Sequence, residues 1–290
     1  MRVLVTGANG QLGSELRLVA SADYIFTDIE ELDICSEERV AEFVERNKID
    51  VIVNCAAYTN VDRAEEESEV AERVNTTAVA ILARVARRYN VRLIHISTDY
   101  VFGGEEFSSP IMEETRPVAV GVYGRTKLLG ERLIEESGCS YVILRTSWLY
   151  STYGKNFVKT ILRLASEREE LRVVSDQIGS PTYARDLAAV VVKICGEVEF
   201  EDGIYHYSNR GEISWCDFAR AIVELGGAKC RVIPCTTVEY GAKAPRPAYS
   251  VLDTSKICKA LGCDIPQWRD SLAECIKVYK EDDLVWQNEQ

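Results

Sequence analysis

Tyr123 and Lys127 stand four residues apart in the run YGRTK, and on a helix that spacing puts both side chains on one face. A phenol has a reference pKa of about 10 and is a poor acid–base group near neutrality. A neighbouring ammonium favours the phenolate and draws the phenol toward the operating range. Pairs at this spacing are also common on exposed helix faces, so the pair needs company before it means chemistry. The company is His95-Ile96-Ser97-Thr98-Asp99-Tyr100-Val101-Phe102, a strand-like run carrying hydroxyls and an acid. Hydroxyls at the carboxyl end of a central strand sit in the crevice where open α/β sheets bind ligands. Thr98 is thereby placed to bond a carbonyl oxygen beside Tyr123. With a dinucleotide turn upstream, Thr98, Tyr123 and Lys127 form the set expected for hydride transfer.

That turn is TGANGQLG, residues 6–13. Gly7, Gly10 and Gly13 let the chain turn sharply, bring backbone close to a diphosphate and pack helix on strand. The helix that starts here supplies amide donors and a partial positive charge. The expected cofactor contacts in this stretch are Gly7, Asn9, Gly10, Gln11, Leu12 and Gly13. Asp28 closes the second predicted strand, where an acid accepts from ribose hydroxyls and repels a 2′-phosphate. Glu30 and Glu31 add to that repulsion, so charge favours NADH over NADPH. The plainer role for Asp28 is to cap a loop. Asp33 and Ile34, in the loop that follows, complete the adenosine side of the expected set.

The elements that must carry these residues alternate. Strand-like runs at 2–6, 24–27, 51–55, 92–97 and 141–146 are interleaved with helical periodicity near 12–20, 36–47, 71–89 and 123–136. Val51-Ile52-Val53 is apolar on both faces, as a strand inside a parallel sheet must be. The fold class is therefore α/β, a Rossmann-type doubly wound parallel sheet. The pattern loosens after Ser147. We expect a dinucleotide-binding unit over 1–150, to which 171–200 returns. A smaller unit for the substrate, over 151–170 and 201–290, lies against it.

Composition narrows the partners. A net charge of −12 over 290 residues argues against nucleic acid, whose phosphates need clustered Lys and Arg. No apolar run approaches a membrane span and the N-terminus leads straight into the turn, so a cytoplasmic protein is expected. The ten cysteines form no C-x-x-C pair, and His95 and His206, the two histidines, lie in strand-like runs. Buried free thiols account for that pattern better than zinc ligands do, and no metal site is expected.

Taken in order, residues 6–13, 54–64 (NCAAYTNVDRA), 97–102 (STDYVF), 123–131 (YGRTKLLGE), 144–150 (LRTSWLY) and 177–182 (QIGSPT) closely resemble the dTDP-4-dehydrorhamnose reductases. These are extended members of the short-chain dehydrogenase/reductase superfamily. The resemblance covers roughly the first two-thirds of the chain. It implies that NADH or NADPH delivers hydride to the 4-keto carbon of dTDP-6-deoxy-L-lyxo-4-hexulose, giving dTDP-L-rhamnose. Tyr123 would protonate the alkoxide, Lys127 would hold the nicotinamide ribose, and Thr98 would orient the keto oxygen. The resemblance also implies a cofactor cleft lined by Ala56, Ala57, Tyr58 and Thr59. Asp99, Tyr100 and Trp148 would meet the sugar nucleotide, and Arg246 its diphosphate.

Sugar-nucleotide 4,6-dehydratases resemble this family but carry Thr-Asp-Glu where this chain has Thr98-Asp99-Tyr100. The missing second acid favours a plain ketone reductase. Two other readings stay open. One is a reductase or epimerase of another sugar nucleotide. The other is a non-catalytic subunit like the regulatory subunit of methionine adenosyltransferase. A homodimer is compatible with all three.

Overall fold

The computed structural model describes residues 1–21, 23–197 and 200–288, with side chains to Glu281. Its centre is a parallel sheet of six strands. Five come from the first half: β1 (Val3–Thr6), β2 (Tyr24–Phe26), β3 (Val51–Asn54), β4 (Arg92–Thr98) and β5 (Tyr141–Thr146). With Gly203–His206 added at one edge, the spatial order is Gly203–His206, β5, β4, β3, β1, β2. The chain thus runs one way from β1 to β2 and the other way from β1 through β3, opening a crevice at the carboxyl ends beside β1.

The central strands are buried because helices cover both faces. Every residue of β1 and β3 is buried. On one face Val3, Val5, Val51 and Val53 pack with Leu12 and Leu16 of α1 (Gln11–Val19) and with Leu187 and Val191 of the helix Ala184–Gly196. On the other, Leu4, Ile52 and Leu93 meet Val40 and Val44 of α2 (Glu37–Asn47) and Leu82 of the helix Ala78–Tyr89. Each such aliphatic side chain contributes roughly 1.5–3 kcal/mol of burial. A wider π-type turn over Arg73–Thr77 interrupts the helical stretch read as 71–89.

The smaller lobe has its own core. Helices Phe157–Glu167, Trp215–Gly226 and Trp268–Asn288 surround Phe218, Ile222, Ile161 and Leu272, beside a parallel pair of strands, Glu170–Val174 with Arg231–Cys235. Strand pairing moves the expected division in two places. Gly203–His206 pairs with β5 and belongs to the main sheet, not to a unit beginning at 201. Glu170–Val174 pairs within the smaller lobe, so residues 171–174 do not return to the main sheet. A hydrogen-bonded ladder decides membership more strongly than composition does.

All ten cysteines are unpaired thiols. Among the described residues no helix is long and apolar enough to cross a membrane.

Candidate active site

The glycine turn is built by contact. Gly7 has φ +65°, and a Cβ there would lie 2.6 Å from the backbone N and Cα of Ala56. A Cβ on Gly13 would lie 2.5 Å from Cα of Ala8, so that glycine seats α1 against the turn. Gly10 is the N-cap of α1 and brings no side-chain cap, which leaves the first amides of the helix unsatisfied by the chain itself. This is the arrangement that favours an anion.

Two cavities meet at the turn. One, of about 310 Å³, is lined by Gly7, Gly10, Asp28, Asp33, Ile34, Ala56 and Ala57. The other, of about 650 Å³, holds Gln11, Leu12 and Thr59 together with Thr98, Asp99, Tyr100, Tyr123, Lys127 and Trp148. Gly7, Gly10, Cys55 and Ala57 line both. Asn9, Gly13 and Tyr58 line neither. The Asn9 amide donates to Asp28 Oδ2 at 2.9 Å, and that of Ile29 donates to Oδ1 at 2.8 Å, so Asp28 does cap the turn. Tyr58 is tied to Asn75 through its backbone and sends its hydroxyl to Glu67 at 2.6 Å.

Thr98 ends β4, and Tyr123 and Lys127 stand one turn apart on the helix Gly121–Ser137. That helix begins two residues before Tyr123, at Gly121 with φ +69°, where Glu65 Oε1 accepts the Val122 amide at 2.7 Å. The Thr98 hydroxyl donates to Asp99 Oδ1 at 3.0 Å and lies within hydrogen-bonding reach of the Tyr123 phenol. Tyr100 meets Tyr123 edge-on, with ring centroids 5.3 Å apart.

The electrostatics differ from the expectation drawn from Tyr–Lys spacing. Burial outweighs the Thr98 hydrogen bond and pushes Tyr123 up to about 12. Lys127, 1% exposed, is pushed down to about 8 by burial, against the opposing pull of Glu131. Its Nζ points to the Ile96 carbonyl oxygen at 2.7 Å and to His95 Nε2 at 3.1 Å. Burial raises Asp99 to about 6, against the opposing pull of the Ser250 and Thr98 hydroxyls, and its buried Oδ2 makes no close hydrogen bond. The site therefore holds a phenol loaded with its proton, an amine shifted toward neutrality and a buried carboxyl raised by its surroundings.

Trp148 lies flat on Trp215, centroids 3.6 Å apart and planes 11° from parallel. It adopts φ +48°, a left-handed conformation uncommon for a bulky residue. A Cβ on Gly179 would lie 2.6 Å from its indole ring, so QIGSPT supplies the glycine that lets the ring lie there. Trp215 also lines the cavity that holds Tyr123 and Lys127 and was missed in the sequence, as were Cys55, Ser147 and Asn156. Asn156 Nδ2 donates to Gln11 Oε1 at 3.0 Å and joins the smaller lobe to the turn, a contact between residues far apart in the sequence.

Arg246 does not line the cavity that holds Tyr123 and Lys127. It lines a neighbouring cavity of about 720 Å³ that shares Trp215, and it is paired with Asp62 at 2.7 Å. Arg246 Nη1 also donates to the Ala244 carbonyl. The sequence expectation of a free guanidinium for a diphosphate omitted that carboxylate.

The chain is 40% identical to the dTDP-4-dehydrorhamnose reductase of Burkholderia thailandensis, over 96% of its own length and 98% of the relative's. It is 43% identical to the spore coat polysaccharide biosynthesis protein SpsK of Bacillus subtilis, over 95% and 97%. The crystal structure of dTDP-4-dehydrorhamnose reductase from Bacillus anthracis in complex with NADP superposes with a TM-score of 0.90. That match is 39% identical and covers 94% of this chain and 98% of that one. The RmlD substrate binding domain family matches residues 1–281, and the chain belongs to that family.

Proposed function

We propose that this chain is a dTDP-4-dehydrorhamnose reductase: an NAD(P)H-dependent enzyme that converts dTDP-6-deoxy-L-lyxo-4-hexulose to dTDP-L-rhamnose. The observation that carries the reading is convergence. Thr98, Tyr123 and Lys127 open into one cavity that is also lined by Gly7 and Gly10 of the glycine turn and by Trp148 stacked on Trp215. The residues fit a dinucleotide. Gly7 and Gly13 leave no room for a Cβ, uncapped amides start α1, and the Asp28 carboxylate lies in the adjoining cavity.

When bound, the cofactor supplies the hydride. Tyr123, whose pKa is about 12, is a full phenol at neutral pH and delivers its proton to the developing 4-alkoxide. Thr98 directs the keto oxygen toward that phenol, and Asp99 Oδ2 takes a sugar hydroxyl. Lys127 holds the nicotinamide ribose and returns positive charge to the phenolate that Tyr123 becomes. The indole pair offers an apolar platform for the sugar nucleotide. Arg246 would reach the diphosphate only by exchanging Asp62 for it. Asp28 favours the unphosphorylated ribose, with NADPH the alternative. The enzyme acts in the cytoplasm, and a homodimer is the assembly to test by light scattering.

The test is stoichiometric. Presented with the 4-keto sugar nucleotide and NADH or NADPH, the protein should oxidise one cofactor per ketone and yield a restored 4-hydroxyl. An epimerase or dehydratase regenerates its cofactor within the cycle, so product with no net cofactor change would overturn the reading.

A further inference from the structure

His95 is completely buried beneath the catalytic cavity, and both of its ring nitrogens are engaged. Nδ1 lies 3.0 Å from Asn54 Nδ2, and Nε2 lies 3.1 Å from Lys127 Nζ. The Asn54 amide has a decided orientation, because its Oδ1 accepts the Ala56 backbone N–H at 3.2 Å and the Thr6 hydroxyl at 2.7 Å. Its Nδ2 therefore faces the imidazole and must donate, which makes Nδ1 an acceptor. A neutral imidazole has one N–H, and that proton is left on Nε2, aimed at Lys127. A donor cannot be met by an ammonium. It can be met by the lone pair of a free amine, whose own N–H goes to the Ile96 carbonyl oxygen.

We propose that His95 is a positioning residue whose tautomer is coupled to the charge of Lys127: Asn54 fixes it as Nε2–H, donating to Nζ while Lys127 is the free amine, and it must change when Lys127 takes up a proton. Protonating Lys127 then has a structural consequence. The imidazole must move its proton to Nδ1, and Asn54 must turn its amide away from the Ala56 N–H. The proton affinity of the amine is thus tied to a hydrogen-bond chain reaching the glycine turn through Asn54 and Thr6. His95 is not itself a proton conduit, because the group behind it is an amide that cannot resupply a proton.

The other groups facing Lys127 do not account for its state. Glu131, one turn on along the same helix, favours the ammonium, but Arg145 of β5 already neutralises it. Cys55, after β3, is kept as a thiol by burial. Tyr123, one turn back, is a phenol. Burial and Lys127 itself hold His95 far below its usual range, so the ring stays uncharged.

The chain has two histidines, which makes the tautomer directly readable. In His206, Nδ1 lies 3.1 Å from the Ile111 carbonyl oxygen and Nε2 faces Arg145, so its proton sits on Nδ1. The two rings should carry opposite tautomers. The experiment is ¹⁵N-histidine NMR of the cofactor-free protein, with the rings assigned by His95→Gln or, should that variant not fold, by His206→Asn. At pH 10 we expect His95 as Nε2–H. As pH falls through about 8 it should pass to Nδ1–H without gaining a second proton. Lys127→Met should abolish the switch. An Nδ1–H ring at pH 10, an imidazolium at any pH above 6, or a switch that survives Lys127→Met would each overturn the inference.

A second readout rests on the proposed reductase activity. In His95→Gln an amide oxygen can accept from the ammonium, so the limb of the pH–rate profile governed by Lys127 should move up by about one unit. The tautomer measurement needs no turnover, so failure of the activity and failure of this inference remain distinguishable.

Discussion

Lys127 and Glu131 are consecutive turns of one helix, both about 1% exposed, yet they are buried in opposite ways. Glu131 meets a matched charge. Its carboxylate takes Nε and Nη2 of Arg145, the latter at 2.7 Å, and also accepts from the Ser97 hydroxyl. Arg145 is sealed in turn by the Phe102 ring, 4.9 Å from its guanidinium carbon, and by His206. Lys127 meets only neutral partners, an imidazole and a carbonyl, and lines the cavity it shares with Thr98 and Tyr123. The first arrangement pins the helix Gly121–Ser137 to β4 and β5. The second leaves an amine whose charge is cheap to change. Burial with a counter-charge is architecture; burial without one is a poised reagent.

The sharpest way to break that contrast is to remove chemistry without removing packing. Tyr123→Phe keeps the ring against Tyr100 and deletes the proton. Turnover should fall by roughly 10²–10⁴-fold, the span of a positioned acid–base group, with thermal stability little changed. Wild-type turnover in the variant would take Tyr123 out of the mechanism.

Removing one partner from the sealed pair should do the reverse. Arg145→Met leaves Glu131 buried and uncompensated, and the expected loss is about 3–5 kcal/mol of unfolding free energy. The double replacement Arg145→Met with Glu131→Leu should recover most of that loss, since no orphan charge remains. Denaturant titration of the single and double variants checks both statements. Additive losses would show that the pair is not the unit described here.

Much of the chemical side of this comparison was legible in the sequence. Tyr123 and Lys127 share a face because the helical period requires it, and Thr98 follows from its place at a strand end. The structural side was not. Glu131 and Arg145 lie in a helix and a strand whose pairing depends on how the two pack, which no local period encodes. Trp215 was unread for the same reason, because only the fold sets it on Trp148. Gly203–His206 was assigned to the smaller lobe because an edge strand with two half-buried residues lacks the continuous apolar signature of β3. Arg246 was read as free because its partner, Asp62, lies far off in the chain.

Asp28 is an intermediate case, an acid neither sealed by a cation nor left without donors. Both oxygens already accept backbone amides, from Asn9 and Ile29, so it serves the turn as well as any ribose. Asp28→Ala should raise the NADPH-to-NADH ratio of kcat/KM by roughly tenfold, about 1.4 kcal/mol, comparable to a hydrogen bond to a charged group. An unchanged ratio would confine Asp28 to capping.

The effect that isolates the poised amine is a pH dependence of stability. Lys127 titrates near 8 in the folded chain and at 10.5 when exposed. Between those values the unfolded chain binds more protons, so stability rises with pH across that window. Below pH 8 the cost of burying the amine is fully present; above about 10.5 it is gone. Lys127→Met removes the titrating group, keeps a linear side chain of similar reach, and leaves the Glu131–Arg145 pair in place. The variant should therefore be more stable than the wild type below pH 8. Its advantage should shrink between pH 8 and 10.5 as the wild type catches up. Groups common to both proteins cancel in the difference, so the curve reports Lys127 alone. A difference that is flat from pH 7 to 10.5 would mean that the lysine is solvated or paired in solution, and that it is buried no differently from its neighbour one turn away.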